Sequence, residues 1–345
     1  MAANPPRVLQ AIAGAPHGGA EAFFLRLVPA LARAGLEQRI VIRRDEARSA
    51  ALQKAGIAPV ELAFGGLLDF STRRQLRETL DAFKPDVTLT WMSRATAYCP
   101  AGPFVHAARL GGYYDLKYYR SCDHLIANTP DILAYITRAG WPGARAHYLP
   151  NFVDAAPASA IPRASLGTPE DAPLLLALGR LHRNKGFDVL LEALASLPEM
   201  HCWLAGEGPE RAALEAQAAR LGLGERLKFL GWREDVAVLY ASADLLVCPS
   251  RHEPLGNVVI EAWAHGLPVV AAESVGPAAL ITPEENGLLV PVDDPGALAA
   301  AVARIVSEAG LARRLAADGR ASFEGSFTEE AVVARYLDFF ERVAA

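Results

Sequence analysis

The strongest constraint on this chain is its rhythm. Short apolar runs alternate with longer stretches of helical period, and they do so in two successive series. In the first, strands are expected at Arg7–Ala13, Gln38–Arg43, Val60–Ala63, Val87–Thr90, Pro103–Leu110, His124–Asn128 and Ala146–Leu149. Helices are expected from the Gly14–Glu21 turn to about Ala34, near Glu46–Ala55, near Thr72–Phe83 and from about Asp131 to Ala139. Residues 151–172 break the pattern with Pro157, Pro162 and Pro169 among small residues, which marks a linker. The second series has strands at Leu174–Leu178, His201–Ala205, Leu227–Leu230, Leu245–Cys248, Pro268–Ala272 and Gly287–Val290. Its helices are Phe187–Leu197, Pro209–Leu221, Asp235–Ala241, one after Asn257, Pro295–Val306 and Thr328–Val343. Repeated β-α units of this kind specify α/β architecture with doubly wound parallel sheets, and ligands of such sheets gather beyond the carboxyl ends of the strands. Two doubly wound domains are therefore expected, 1–152 and 153–327, with 328–345 as a closing helix. A linker between two such sheets would place a cleft between them.

Composition supports this reading and excludes others. A chain of 345 residues that is 52% hydrophobic can fill two cores. No apolar run approaches the roughly 20 residues that span a bilayer, and Met1–Arg7 lacks the features of a signal peptide, so a cytoplasmic location is expected. Cys99, Cys122, Cys202 and Cys248 are scattered without a Cys-x-x-Cys pair, which favours free thiols over disulfides or zinc. The net charge of −5 is unevenly spread: residues 1–150 hold 18 Lys and Arg against 12 Asp and Glu, the remainder 16 against 27. The basic half suits an anionic surface or acceptor. The acidic balance and the lack of a binding module argue against nucleic acid.

Glycine marks several of the strand ends. Gly14-Ala-Pro-His-Gly-Gly-Ala-Glu21 follows the first strand; it is neither a Walker A loop nor Gly-x-Gly-x-x-Gly, but Gly18 and Gly19 permit close backbone approach at a helix start. Gly111-Gly-Tyr-Tyr-Asp-Leu-Lys-Tyr-Tyr-Arg120 interleaves aromatics with Lys117 and Arg120, so it could receive an anionic or sugar-bearing substrate, lie on a membrane, or simply cover the core. Gly179-Arg-Leu-His-Arg-Asn-Lys-Gly186 offers Arg180 as a planar fork for phosphate oxygens and Lys185 as a mobile point charge. Two cations facing a diphosphate can balance its charge without a metal, although the same residues also suit a solvated loop. Gly206-Glu-Gly-Pro209 lacks the third glycine of a dinucleotide fingerprint, and at Gly231-Trp232 a base could rest on exposed backbone. In Ser250-Arg-His-Glu-Pro-Leu-Gly-Asn-Val-Val-Ile-Glu261, two carboxylates flank a strand-to-helix turn whose free N–H groups could hold a phosphate.

These pieces, in this order, resemble the retaining glycosyltransferases of family four. The match rests on Gly179-Arg-Leu, Lys185-Gly, Gly206-Glu-Gly-Pro, Phe229-Leu-Gly, Glu253-x7-Glu261, Ala264-His-Gly-Leu-Pro-Val-Val270 and Asn286-Gly-Leu-Leu. Gly18-Gly-Ala-Glu21 and Leu149-Pro-Asn151 extend it more loosely across the first half. The resemblance implies the GT-B architecture, two Rossmann-like domains facing a cleft: an acceptor-side N-terminal domain, a donor-binding second domain, and a last helix that crosses back. It implies that Arg180 and Lys185 bind the diphosphate of a nucleotide-sugar, that Glu261 binds the ribose hydroxyls and that Glu253 contacts the sugar. Leu255, Gly256, Asn257 and Val258 would hold sugar and phosphate, with Gly19 approaching the donor phosphate or the acceptor. Many relatives carry a sugar-contacting histidine at the end of the strand here read as Pro103–Leu110. This chain has Leu110-Gly-Gly112 there, His106 falls too early, and Arg109 is the candidate to take over part of that site.

The expected reaction is metal-independent transfer of a hexose with retention, from a uridine or, second, a guanosine diphosphate sugar. No Asp-x-Asp motif occurs in the chain. The expected acceptor is a glycan or a lipid-linked glycan such as a lipopolysaccharide core precursor at an anionic inner membrane face, met through Gly18, Arg109, Tyr113 and Lys117. Alternatives are a nucleotide-sugar epimerase of the same architecture and an inactive nucleotide-sugar-binding subunit. No cofactor is expected besides the donor substrate.

Overall fold

A computed structural model describes residues 5–15, 18–65, 69–153 and 155–345. Met1–Asn4, Pro16 and His17 of the glycine turn, and Asp154 of the linker stretch lie outside the described residues. The chain divides into two compact units, one made of residues 1–152 and 329–345, the other of residues 153–328.

The first unit carries β1 (Val8–Ile12), β2 (Gln38–Arg43), β3 (Val60–Leu62), β4 (Val87–Trp91), β5 (Val105–Leu110), β6 (His124–Ala127) and β7 (Ala146–Tyr148). They form one seven-stranded sheet, all pairs parallel, in the order β3-β2-β1-β4-β5-β6-β7. Helices cover both faces of a sheet of this kind, so its central strands are buried almost throughout, polar residues included. Every residue of β1 is buried, including Gln10, whose amide donates to Gln38 Oε1 at 2.9 Å and accepts from Trp91 Nε1 at 3.1 Å. The helices are α1 (Gly19–Arg33), α2 (Glu46–Lys54), α3 (Phe70–Phe83), α4 (Met92–Tyr98) and α5 (Pro130–Arg138). Asp45, Asp69 and Thr129 cap α2, α3 and α5 by accepting from the backbone N–H three residues on.

The second unit carries β8 (Leu174–Leu178), β9 (His201–Ala205), β10 (Leu227–Gly231), β11 (Leu245–Cys248), β12 (Val269–Ala272) and β13 (Leu288–Val290), again all parallel, in the order β10-β9-β8-β11-β12-β13. Around it lie α6 (Phe187–Ala195), α7 (Arg211–Arg220), α8 (Val236–Ser242), α9 (Asn257–Ala264), α10 (Val275–Leu280), α11 (Pro295–Ser307) and α12 (Ala309–Ser326). The last helix, α13 (Glu329–Ala344), belongs to the first unit. Its Val332, Tyr336, Phe339 and Phe340 are buried in one cluster with Phe23, Phe24 and Trp91. Each such side chain stabilises the docking by roughly 1.5–3 kcal/mol.

Three helices lack a local sequence signal. α4 and α10 are too short to show a period, and α10 contains Gly276 and Pro277. α12 carries Gly310, Gly319 and Gly325, each costing about 1 kcal/mol of helix propensity. Tertiary contact overrides that cost at Gly319, where a Cβ would lie 2.3 Å from Trp263 Cδ1, so only glycine lets the two helices meet. The proline-rich stretch is likewise not loose. Val153 is buried in the second unit's core, Ile161 N–H donates to Ser242 Oγ at 3.0 Å, and Arg163 bonds Ala172 O and Asp244 at 2.6 and 2.7 Å.

Candidate active site

In each sheet the strand order reverses at one point, between β1 and β4 in the first unit and between β8 and β11 in the second. Loops leaving the carboxyl ends of adjacent strands part there, which opens a crevice for a ligand. In the second unit the two flanking loops are residues 179–186 after β8 and 249–256 after β11, the segments that carry Arg180, Lys185, Glu253 and Gly256. Their backbones touch. Gly186, at φ 65, occupies the left-handed region, and a Cβ on it would lie 2.1 Å from Pro249 O. His252 N–H donates to Asn184 O at 3.1 Å across the same seam.

Across this seam Lys185 Nζ forms an ion pair with Glu253 Oε2. The Glu253 side chain is only 10% exposed and that of Lys185 24%, so the pair lies largely out of water. Arg180 is exposed, and among the described residues no hydrogen bond or ion pair holds its guanidinium. One cation is thus stored against a carboxylate and the other is open to an incoming anion. Gly256, at φ 74, leads directly into α9, whose start has no side-chain cap among the described residues, and free N–H groups at a helix start suit an anion. Asn257 opens that helix, and its Oδ1 is buried without a hydrogen-bond partner among the described residues. Gly276 N–H donates to Glu253 O at 2.7 Å and closes the loop from the α10 side. Leu255 and Val258 are half-buried on either side of the helix start.

Glu261 lies one turn into α9, as its spacing from Glu253 requires. Buried Tyr240 of α8 donates to Glu261 Oε2 at 2.8 Å, and its ring stacks on His265 at 5.0 Å. Burial, reinforced by the Glu261 charge, holds the Tyr240 phenol well above its ordinary range, so it remains a donor. Burial, with the Glu253 carboxylate adding to it, also pushes the neighbouring Cys248 thiol up to about 11. Cys248 is therefore neutral and no candidate nucleophile. Gly231 ends β10 and Trp232 follows it, at the carboxyl end of an edge strand of the same sheet. Gly231 O accepts from Gly206 N–H at 2.7 Å, and Trp232 is 75% exposed, an apolar face open to a planar ligand. Among the described residues no group of three or more His, Cys, Asp and Glu could hold a metal ion.

In the first unit, Gly18 and Gly19 begin α1 at the switch point and both are exposed. A Cβ on Gly19 would meet nothing within 4 Å, whereas one on Gly18 would lie 2.3 Å from Glu21 Oε2. Glu21 is buried and accepts from Ala15 N–H at 2.8 Å, so it shapes the turn from within. Tyr113 is exposed; its hydroxyl donates to Asp131 at 2.5 Å and its ring packs edge-on to Tyr135. Lys117 is paired with Asp115 at 2.8 Å on the surface.

Arg109 requires a correction. Expected as an acceptor-binding substitute for the missing histidine, it is 1% exposed and serves the fold. Its Nε donates to Tyr336 OH at 2.9 Å and its Nη2 to Asn151 Oδ1 at 2.5 Å, while Phe23 and Trp91 cover the guanidinium at 4.7 and 4.6 Å. A guanidinium enclosed in this way ties α13 to the end of the first unit and presents nothing to a substrate. His106 is a buried mid-strand residue of β5, bonded to Thr90 Oγ1 at 3.0 Å.

Sequence reasoning missed Tyr240 and gave no role to Arg251 or to the Asn257 side chain. Tyr240 meets Glu261 only because α8 packs against α9, and no local pattern announces that contact.

Comparison with known proteins completes the picture. Residues 17–156 match Glycosyltransferase Family 4, and residues 172–308 match Glycosyl transferases group 1. The chain is 38% identical to LpsE, a lipopolysaccharide core biosynthesis glycosyltransferase of Rhizobium meliloti (strain 1021), over 93% of this chain and 95% of that one. It is 37% identical to LpsD, a lipopolysaccharide core biosynthesis glycosyltransferase of the same organism, over 95% and 96%. HepE of Anabaena, solved in complex with UDP, shares the fold with a TM-score of 0.85 and 21% identity, covering 97% of this chain and 100% of that one. Two parallel-sheet α/β domains with these relatives define a glycosyltransferase of the GT-B architecture. Within that class, the protein belongs to the family 4, or group 1, glycosyltransferases. Its relatives do not favour the epimerase or inactive-subunit readings.

Proposed function

We propose that this enzyme transfers a hexose from a nucleoside-diphosphate sugar, with uridine favoured over guanosine, to a lipopolysaccharide core acceptor, with retention at the anomeric carbon and without a metal. The observation that supports the reading is the second unit's switch point, where the Lys185–Glu253 ion pair joins the loop that carries Arg180 to the loop that leads into α9. The UDP complex of HepE and the names of LpsE and LpsD support the donor and the acceptor respectively.

In the proposed reaction the bond between C1 of the sugar and the β-phosphate oxygen breaks, and charge develops on the diphosphate. Arg180, Lys185 and the N–H groups of α9 stabilise that charge, which in many enzymes is the largest catalytic contribution. The acceptor hydroxyl then attacks C1 on the face the diphosphate leaves, and its proton passes to a phosphate oxygen. The two side-chain cations and the helix N-terminus supply the positive charge that a divalent ion would otherwise bring. Glu253 contacts the sugar, Glu261 the ribose hydroxyls, and Trp232 with Gly231 the base. Gly19 approaches the donor phosphate or the acceptor. Gly18, Tyr113 and Lys117 serve the acceptor, and the basic first half meets the anionic inner membrane face.

Calorimetric titration of UDP and GDP in the presence of chelator, on wild type, Arg180→Ala and Glu261→Ala, tests the donor site. Binding to the wild type that weakens at least about tenfold in both variants is expected. Unchanged binding in both variants would refute the assignment. The anomeric configuration of the product by NMR tests retention, and co-sedimentation with anionic phospholipid vesicles tests the membrane contact.

A further inference from the structure

Arg251 stands between Ser250 and Glu253 in the central motif and takes no part in the donor contacts of its neighbours. Its guanidinium is fully engaged in one direction. Nη1 and Nη2 donate to Asp188 Oδ1 and Oδ2 at 2.7 and 2.6 Å, Nη1 also donates to Arg183 O at 2.8 Å, and Nε donates to Asp293 Oδ1 at 2.5 Å. Arg183 precedes Lys185 by two residues, and Asp188 follows it by three, in the first turn of α6. Between them, Asn184 O accepts from His252 N–H and Gly186 abuts Pro249 O. The loop after β11 therefore grips residues 183, 184, 186 and 188. Lys185 lies between the first three of those points.

We infer that Arg251 is a positioning residue for donor binding: it fixes the loop after β8 so that Lys185 reaches the diphosphate while Glu253, two residues along from Arg251, holds the sugar. The inference rests on the donor-site reading of Lys185. Surface ion pairs ordinarily contribute little, but this one is a bidentate fork joined to a second carboxylate and a backbone carbonyl. A lysine could not reproduce that planar geometry. The Arg251 side chain is 23% exposed and lies outside the hydrophobic cores, so its truncation removes no core packing. Its loss would leave Lys185 on a loop held by fewer bonds. A misplacement of about 1 Å in a catalytic array can cost around 100-fold in rate.

The test compares the nucleoside diphosphate that the wild type binds, UDP or GDP, with its monophosphate, on wild type, Lys185→Met, Arg251→Ala, Arg251→Lys and the Lys185→Met/Arg251→Ala double variant. Arg251→Ala is expected to lower kcat/KM by about 10- to 100-fold and to weaken the diphosphate while leaving the monophosphate within about twofold. Arg251→Lys is expected to restore little. In the Lys185→Met background, Arg251→Ala should cost less than about threefold, because its effect runs through Lys185. Asp188→Asn, which removes charge but keeps shape, should show an intermediate loss and serves as the probe if Arg251→Ala does not fold. If Lys185→Met leaves diphosphate binding unchanged, the donor-site reading itself is wrong. If Lys185→Met weakens it but Arg251→Ala and Asp188→Asn do not, or if the cost of Arg251→Ala is undiminished in the double variant, the positioning role is overturned.

Discussion

Removal of the carboxylate at Glu253 should tighten nucleoside-diphosphate binding while it abolishes transfer. In this structure Lys185 is already partnered, so a diphosphate that recruits it must break the pair with Glu253 and then sit beside a carboxylate of its own sign. Two unit charges about 4 Å apart in a partly buried setting attract by about 4 kcal/mol at an effective dielectric near 20. Residual hydration of Lys185, 24% exposed, and its new contacts with phosphate offset most of this. A net cost of about 1.4 kcal/mol remains as a working value, a tenfold factor in Kd. Glu253→Gln keeps the shape and removes the cost. Calorimetric titration should therefore show UDP or GDP binding about tenfold tighter in Glu253→Gln than in wild type, with turnover of the intact donor lost. Thermal unfolding offers a check on the same pair: Lys185→Met strands a buried carboxylate and should be less stable than Lys185→Met/Glu253→Gln. Diphosphate affinity that is equal or weaker in Glu253→Gln would refute the idea that this carboxylate stores the cation.

Other consequences can be measured independently. Tyr240→Phe removes the hydroxyl that donates to the Glu261 carboxylate; it should reduce discrimination between ribo- and 2′-deoxyribonucleoside diphosphates by about tenfold, the lower end of the roughly 1.5–3 kcal/mol that a hydrogen bond to a charged group is worth. An unchanged ratio would show that Tyr240 does not orient Glu261. His106 is buried, and burial lowers its pKa from 6.5 to about 4, only partly opposed by Asp123 and the backbone near Ser121. The unfolded chain therefore takes up this proton first on acidification: the stabilisation is complete above pH 6.5 and lost as pH falls toward 4, amounting to about 2 kcal/mol by pH 5. Urea unfolding at pH 7.5 and 5 should show that loss in wild type and a smaller one in His106→Gln; equal losses would count against it. Gly186→Ala forces a Cβ onto Pro249 O and should cost at least about 1 kcal/mol together with most donor affinity, whereas a variant that binds donor normally would mean the seam can part.

Much of the site was legible before any contact was known, because its residues lie on contiguous loops. Gly179 to Gly186 and Ser250 to Glu261 each follow a strand with an apolar run, and the turn-to-helix geometry of α9 follows from Gly256 and the helical spacing of Glu253 and Glu261. What the separate loops do to each other was not legible. Lys185 and Glu253 are 68 residues apart, and their pairing depends on β8 and β11 being neighbours at the switch point. Arg251 resembles any loop cation until Asp188 and Asp293 are brought to it from two other elements.

By itself, the sequence determined the alternation of strands and helices, the parallel character of both sheets and the family, since periodicity, strand-end glycines and ordered motifs are local and survive without a fold. Tertiary structure alone decided which helices form against their own propensity, as α12 does with Gly319 against Trp263, and where a charge is spent. Arg109 at a strand end looks available for a substrate, yet Tyr336, Asn151, Phe23 and Trp91 enclose it. The physical reason is range. Backbone preferences act over a few residues, whereas burial and ion pairing depend on what the rest of the chain delivers to the same place.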